Sequence, residues 1–205
     1  TARDQYHRFR IPTMVVACDG SVLSFAEGRR GHGGDPTCDN NAPIDIVMRR
    51  STDHGKTWEP MVVLDSGFRP GGGLVDYGDP TAVVDSITGA VFLMYGQWAD
   101  IGPHRAPHGQ NPAAGLGQQV VWILKSTDNG KTWSKPRGLK CPGDFYERGH
   151  GGRPVLLSDG SILWATYYQV AGEKYLRGAI RRSDDSGRSW KVISRIIRPD
   201  NNVDE

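Results

Sequence analysis

Three carboxylates recur in this chain with fixed neighbours and could, by residue type, do acid–base work. Asp53, Asp128 and Asp185 each stand third in an eight-residue box: Ser51 to Trp58, Ser126 to Trp133 and Ser183 to Trp190. The shared form is Ser-x-Asp-x-Gly-x-Thr/Ser-Trp. A carboxylate can take up or deliver a proton, but catalytic groups must converge once, at one place. Three copies in equivalent settings point instead to a scaffold. A second set of charges is better placed for chemistry. Arg10 precedes Ile11-Pro12, Asp79 precedes Pro80-Thr81, Arg153 precedes Pro154-Val155, and Glu205 stands at a fourth such position. Glu27, Arg29, Arg30, His32, Asp35 and Asp39 add a dense run of mixed charge after the second apolar stretch. Gathered at one end of a scaffold, these groups would form a ligand pocket.

The elements that would gather them are strands. Asp and Gly are turn residues: Asp accepts hydrogen bonds from nearby backbone N–H groups, and Gly takes positive φ. Each box follows a strand-like run (residues 44–48, 120–124 and 176–180), and an apolar run follows the first and third boxes (61–64 and 192–197). The box therefore reads as the tip of a β-hairpin, with the Trp packing inward as its anchor. Upstream of each box lies a second hairpin, turning at Asp19-Gly20, between Asp85 and Gly89, and at Asp159-Gly160. Four antiparallel strands per repeat make a β-propeller blade. The predicted fold is all-β, a propeller with about three four-stranded blades over residues 10–66, 79–140 and 153–199, and a fourth beginning near 203. The chain would then be one partial domain over residues 1–205. Successive hairpin ends alternate, so the boxes lie at one end and the charged pocket at the other. The loops over residues 27–43 and 96–118 are longer than a compact repeat needs, which fits a functional end.

Composition narrows the classes. Twenty-seven glycines and 13 prolines in 205 residues suit a turn-rich β chain, and a net charge of +2 with no basic stripe gives no nucleic-acid signal. No run is long and apolar enough for a membrane helix, and no secretory leader pattern is read. Cys18, Cys38 and Cys141 are an odd number without metal spacing and read as buried or incidental thiols. Asp35, Asp39, Asn40, Asn41 and Asp45 offer oxygen ligands but not the spacing of a calcium loop. No metal or other cofactor is expected.

The chain resembles the sialidase (neuraminidase) family, six-bladed propellers with Asp boxes (BNR repeats). The resemblance runs from Tyr6 to Glu205. It rests on Phe9-Arg10-Ile11-Pro12, on Phe25-Ala26-Glu27-Gly28-Arg29, on the three boxes, and more weakly on Asp79-Pro80 and Asn202-Val203-Asp204-Glu205. It implies an exo-α-sialidase, a retaining glycosidase that removes terminal sialic acids from glycoconjugates. Arg10 would be the first of three arginines holding the sialic acid carboxylate, because a guanidinium fork matches a carboxylate. Arg29 would reach the O4 region, and Asp79 would line the pocket near O4 and the N-acyl group. Asp35 would be the general acid/base, with Asp39 the alternative. Tyr167 or Tyr168 would meet the glycerol side chain or serve as core. Glu205 would polarise a tyrosine nucleophile, which suits a substrate carrying its own anomeric carboxylate. The other two arginines and that tyrosine are expected beyond Glu205, in the remaining half of the propeller, and the isolated chain is expected to be inactive. The resemblance leans towards an extracellular or periplasmic location. The alternative is a non-catalytic Asp-box propeller that binds glycan or protein.

Overall fold

A computed structural model describes residues 5–31, 43–68, 74–101, 121–139, 145–148, 152–170 and 176–196. These residues are all-β, with no α-helix among them. The first unit comprises β1 (Arg8–Val16), β2 (Val22–Arg29), β3 (Ile44–Ser51) and β4 (Val62–Asp65). The second comprises β5 (Leu74–Val84), β6 (Val91–Ile101), β7 (Val121–Ser126) and β8 (Arg137–Leu139). The third comprises β9 (Phe145–Arg148), β10 (Val155–Leu156), β11 (Ile162–Val170), β12 (Leu176–Ser183) and β13 (Lys191–Ile196). Within each unit neighbouring strands pair antiparallel. β9 and β10 both pair with β11 and together take the place of one first strand. A single parallel pairing, Ile44 with Asp76, links the first two units into one sheet.

The core lies between units. Leu23, Phe25, Ile46 and Met48 of the first pack against Tyr77, Val91, Leu93 and Tyr95 of the second. Phe92 and Met94 of β6 point the other way, onto Ile162 and Trp164 of the third unit. β6 is therefore buried on both faces, which is why its sequence is a continuous apolar run instead of an alternation.

The boxes are the hairpin tips that their sequence predicts. In the second box Ser126 Oγ donates to Asp128 Oδ1 (2.8 Å) and accepts from Gly130 N (2.9 Å). Asp128 then accepts from Thr132 N (2.9 Å) and Thr132 Oγ1 (2.6 Å). The same four bonds recur around Asp53 and Asp185. The turn needs two successive left-handed residues: His54-Gly55, Asn129-Gly130 and Ser186-Gly187 all have φ between +51° and +82°. The tryptophans are only half-buried. Trp133 meets Phe25 of the preceding unit edge-on at 5.7 Å, whereas Trp190 meets Trp164 of its own unit.

Hydrogen bonds from the box hydroxyls hold the carboxyls of Asp53, Asp128 and Asp185 down to about 2. A carboxyl whose pKa is lowered on folding stabilises the fold above its unfolded value, and that gain is lost as pH falls towards the folded one. Urea midpoints are therefore expected to fall between about pH 4 and pH 2, and Asp128→Asn should flatten that slope. An unchanged slope in Asp128→Asn would show that other groups set the acid transition.

Candidate functional site

At the end of the first two units away from the boxes, the chain concentrates buried charge. Glu27 and Arg29 both lie in β2, two residues apart and hence on one face of the strand. Both are almost wholly buried. Arg29 Nε donates to Glu27 Oε2 at 2.7 Å, and Arg29 Nη2 lies 2.5 Å from the same oxygen. The other oxygen, Oε1, accepts from the backbone N of Asp79 at 2.9 Å. Burial pushes the Glu27 carboxyl above the usual range, and the Asp79 N–H and Arg29 oppose it. Arg10 stands directly across from Glu27 in the β1–β2 ladder and so shares its face of the sheet. One carboxylate, Glu27, thus bonds both Arg29 and the backbone of Asp79, and the exposed Arg10 stands opposite it in the ladder; the sequence assigned all three positions to the pocket.

These residues do not sit at strand starts. Arg10 is the third residue of β1 and Asp79 the sixth of β5. Each lies at a register shift, between Arg10 and Thr13 in β1 and between Gly78 and Thr81 in β5. Ile11 and Asp79 both take positive φ (+49° and +55°) just before a proline. A pre-proline residue is pushed out of the right-handed α region, and a β-branched residue at positive φ is a genuine outlier. Aligned on the prolines, Asp79 corresponds to Ile11 and not to Arg10. Such strain costs about 1–3 kcal/mol and persists only where its surroundings hold it. At Asp79, the bond from its own N–H to buried Glu27 does so.

A second carboxylate, Asp45, anchors the adjoining surface. It is fully buried, and Tyr6 Oη donates to its Oδ2 at 2.5 Å, as does Arg30 Nη2 at 2.6 Å. Gly67 N (2.7 Å) and Ser66 Oγ (3.3 Å) donate to Oδ1. The Arg30 guanidinium lies between the rings of Tyr6 and Phe68, 4.7 and 4.8 Å from their centres. These bonds give Asp45 a structural role and leave little of it for the metal loop weighed from sequence. No group of metal-binding side chains occurs among the described residues.

Asp35, Asp39 and Glu205 lie outside the described residues, as do Cys38 and Cys141. Tyr167 is half-buried in β11, opposite Gly178, and Tyr168 follows it in the strand opposite Arg177. Both belong to a different sheet from the Glu27 group. Cys18 is exposed as a free thiol and not buried. Sequence reasoning placed Glu27 and Arg29 among loop charges and gave Glu27 no role. The signal was present in their spacing of two within a strand.

A family model described as BNR repeat-like domain matches residues 33–202. The chain belongs to this family. Its curated relatives include a sialidase of Bacteroides fragilis (strain YCH46), 31% identical over 92% of this chain and 35% of that protein. A sialidase of Micromonospora viridifaciens is 33% identical over 93% of this chain and 29% of its own length. Among solved structures, Hadza microbial sialidase Hz136 superposes with a TM-score of 0.78 at 27% identity, over 96% of this chain and 39% of that one. The BNR repeat-like chain thus spans about a third of these relatives and shares a sialidase's β-propeller fold.

Proposed function

We propose that this BNR repeat-like chain is part of the catalytic domain of an exo-α-sialidase with a six-bladed propeller, acting on sialoglycoconjugates. The observation that carries the reading is buried Glu27 bonding Arg29 and the backbone of Asp79, with Arg10 opposite it across β1 and β2, in a chain whose relatives are sialidases. Arg10 takes the substrate carboxylate, Arg29 faces O4, and Asp79 lines the pocket beside it. Asp35, with Asp39 as alternative, protonates the leaving glycosidic oxygen and then activates water. Glu205 polarises a tyrosine nucleophile, and Tyr167 or Tyr168 meets the glycerol chain. That tyrosine and two further arginines come from the rest of the propeller, so the 205-residue chain alone does not turn over substrate.

The whole polypeptide should cleave a fluorogenic α-sialoside with retention. Losing one partner of a desolvated charge pair costs about 4 kcal/mol, so Arg10→Ala should lower kcat/KM about a thousandfold. Unchanged turnover in Arg10→Ala would sink the sialidase reading. Binding of the sialoside without any cleavage by the whole polypeptide would favour the glycan-binding alternative.

A further inference from the structure

Glu27 is not a residue that the repeat requires. It is the sixth residue of β2, and β6 and β11 carry Gly96 and Tyr167 at that place. The register fixes the equivalence, because Val22, Val91 and Ile162 each pair with the leading serine of their unit's box. Among the three units, a carboxylate at this height belongs to the first alone. It stands on the face that carries Leu23 and Phe25 towards Val91, Leu93 and Tyr95 of the second unit.

There it meets a donor that the second unit leaves over. β5 and β6 pair through Gly78 with Gly96 and resume at Thr81 with Met94. Asp79 and Pro80 therefore face the single residue Tyr95 in a bulge, which takes them out of the ladder. Pro80 has no N–H. The N–H of Asp79 turns to Glu27 Oε1 at 2.9 Å, a residue 52 positions earlier. That bond holds the backbone, at φ +55°, from which the Asp79 side chain leaves. The other oxygen governs Arg29, whose Nε and Nη2 close on it at 2.7 and 2.5 Å and so fix the plane of the guanidinium. Glu27 exposes none of its surface, Arg29 1% and Asp79 9%, an order that runs from floor to rim. Glu27 cannot touch a bound sugar. It acts through two side chains from different units, with one oxygen for each.

We infer that Glu27 is the positioning residue of the subsite for the O4 hydroxyl of the terminal sugar, holding Arg29 and Asp79 so that both meet that hydroxyl. The inference rests on the sialidase reading, in which Arg29 faces O4 and Asp79 lines the pocket beside it. A hydroxyl suits the pair, because it donates to a carboxylate and accepts from a guanidinium at once. A site built around such bonds rejects an analogue that lacks the group. Discrimination for O4 then depends on a carboxylate that never contacts it.

The whole polypeptide is to be assayed on a fluorogenic α-sialoside and on the same compound with hydrogen in place of the O4 hydroxyl. By kcat/KM, the unaltered enzyme should prefer the hydroxyl-bearing compound about a hundredfold. Glu27→Gln should bring that preference below about tenfold. Its amide oxygen can accept from one of the two donors, while its N–H₂ group is turned on the other. A merely structural role would lower turnover of both compounds alike and leave the ratio intact, and that result overturns the inference. So does an unaltered enzyme that is indifferent to O4. Should Glu27→Gln fail to fold, Glu27→Asp decides on the same pair of compounds. Aspartate keeps the charge but is one methylene too short to hold both partners, so the preference should fall again, and an intact preference overturns the inference. Failure of the sialidase reading gives a different result: the unaltered polypeptide cleaves neither compound, and the O4 assignment falls with it.

Discussion

Glu27→Ala is expected to destabilise the fold by about 3–5 kcal/mol, the cost of leaving a buried cation without its partner. Arg29 is 1% exposed and places two N–H groups on one Glu27 oxygen. The other oxygen takes the N–H of Asp79, whose left-handed backbone is unfavourable for any residue with a side chain. Alanine would strand the guanidinium and the N–H together. Glu27→Gln should cost less, because its amide carbonyl still accepts one bond. Replacing both charges, with Glu27→Met and Arg29→Met in one chain, should cost less than Glu27→Ala alone. Urea titrations of the four proteins test this order. A double variant less stable than Glu27→Ala would mean that the ion pair itself, and not the avoidance of a lone buried charge, stabilises this end of the sheet. In a whole enzyme the same substitution would also release Arg29 and Asp79 from each other, so a stability loss without change in sialoside KM would separate the scaffold from the proposed pocket.

How much of this was readable in the sequence varies with the physics of each element. The boxes were readable because all their bonds are local: Ser51, Asp53, Gly55 and Thr57 satisfy one another within seven residues. The Asp-Gly hairpins were readable for the same reason. The second unit was read as starting at residue 79, yet its first strand, β5, begins at Leu74, because both faces of Val75 to Gly78 are buried and the run has no alternation to read. β8, with three residues, and β9, with four, are too short to carry a pattern. The positive φ of Ile11 goes against its β-branched side chain and is imposed by the bulge. The partners of Asp45 were beyond reach, because Tyr6 and Ser66 are 39 and 21 residues away in sequence.

Asp45→Ala is expected to cost about as much as Glu27→Ala, roughly 3–5 kcal/mol, since it also breaks a buried hydrogen-bonded charge pair. Four donors from three separate segments end on its two oxygens: Tyr6, Arg30, Ser66 and Gly67. Arg30 follows β2 and Asp45 lies near the start of β3, so their bond also closes the stem of the intervening segment, which includes Asp35 and Asp39. Tyr6 supplies a readout particular to this cluster. Burial first, then the hydrogen bond and charge of Asp45, push its phenol well above the ordinary value. A group whose pKa is raised on folding contributes fully below its unfolded value and loses that contribution as pH rises towards the folded one. The wild-type chain should therefore lose stability as pH climbs past about 10. Tyr6→Phe should be less stable at neutral pH by about 1.5–3 kcal/mol, for one charged-acceptor hydrogen bond lost, and should lack most of that alkaline decline. Phenylalanine keeps the ring that packs on Gly28, where an added Cβ would lie 2.7 Å from Tyr6. Packing is thus held constant while the proton is removed. An alkaline decline as steep in Tyr6→Phe as in wild type would show that the phenol is not held by Asp45.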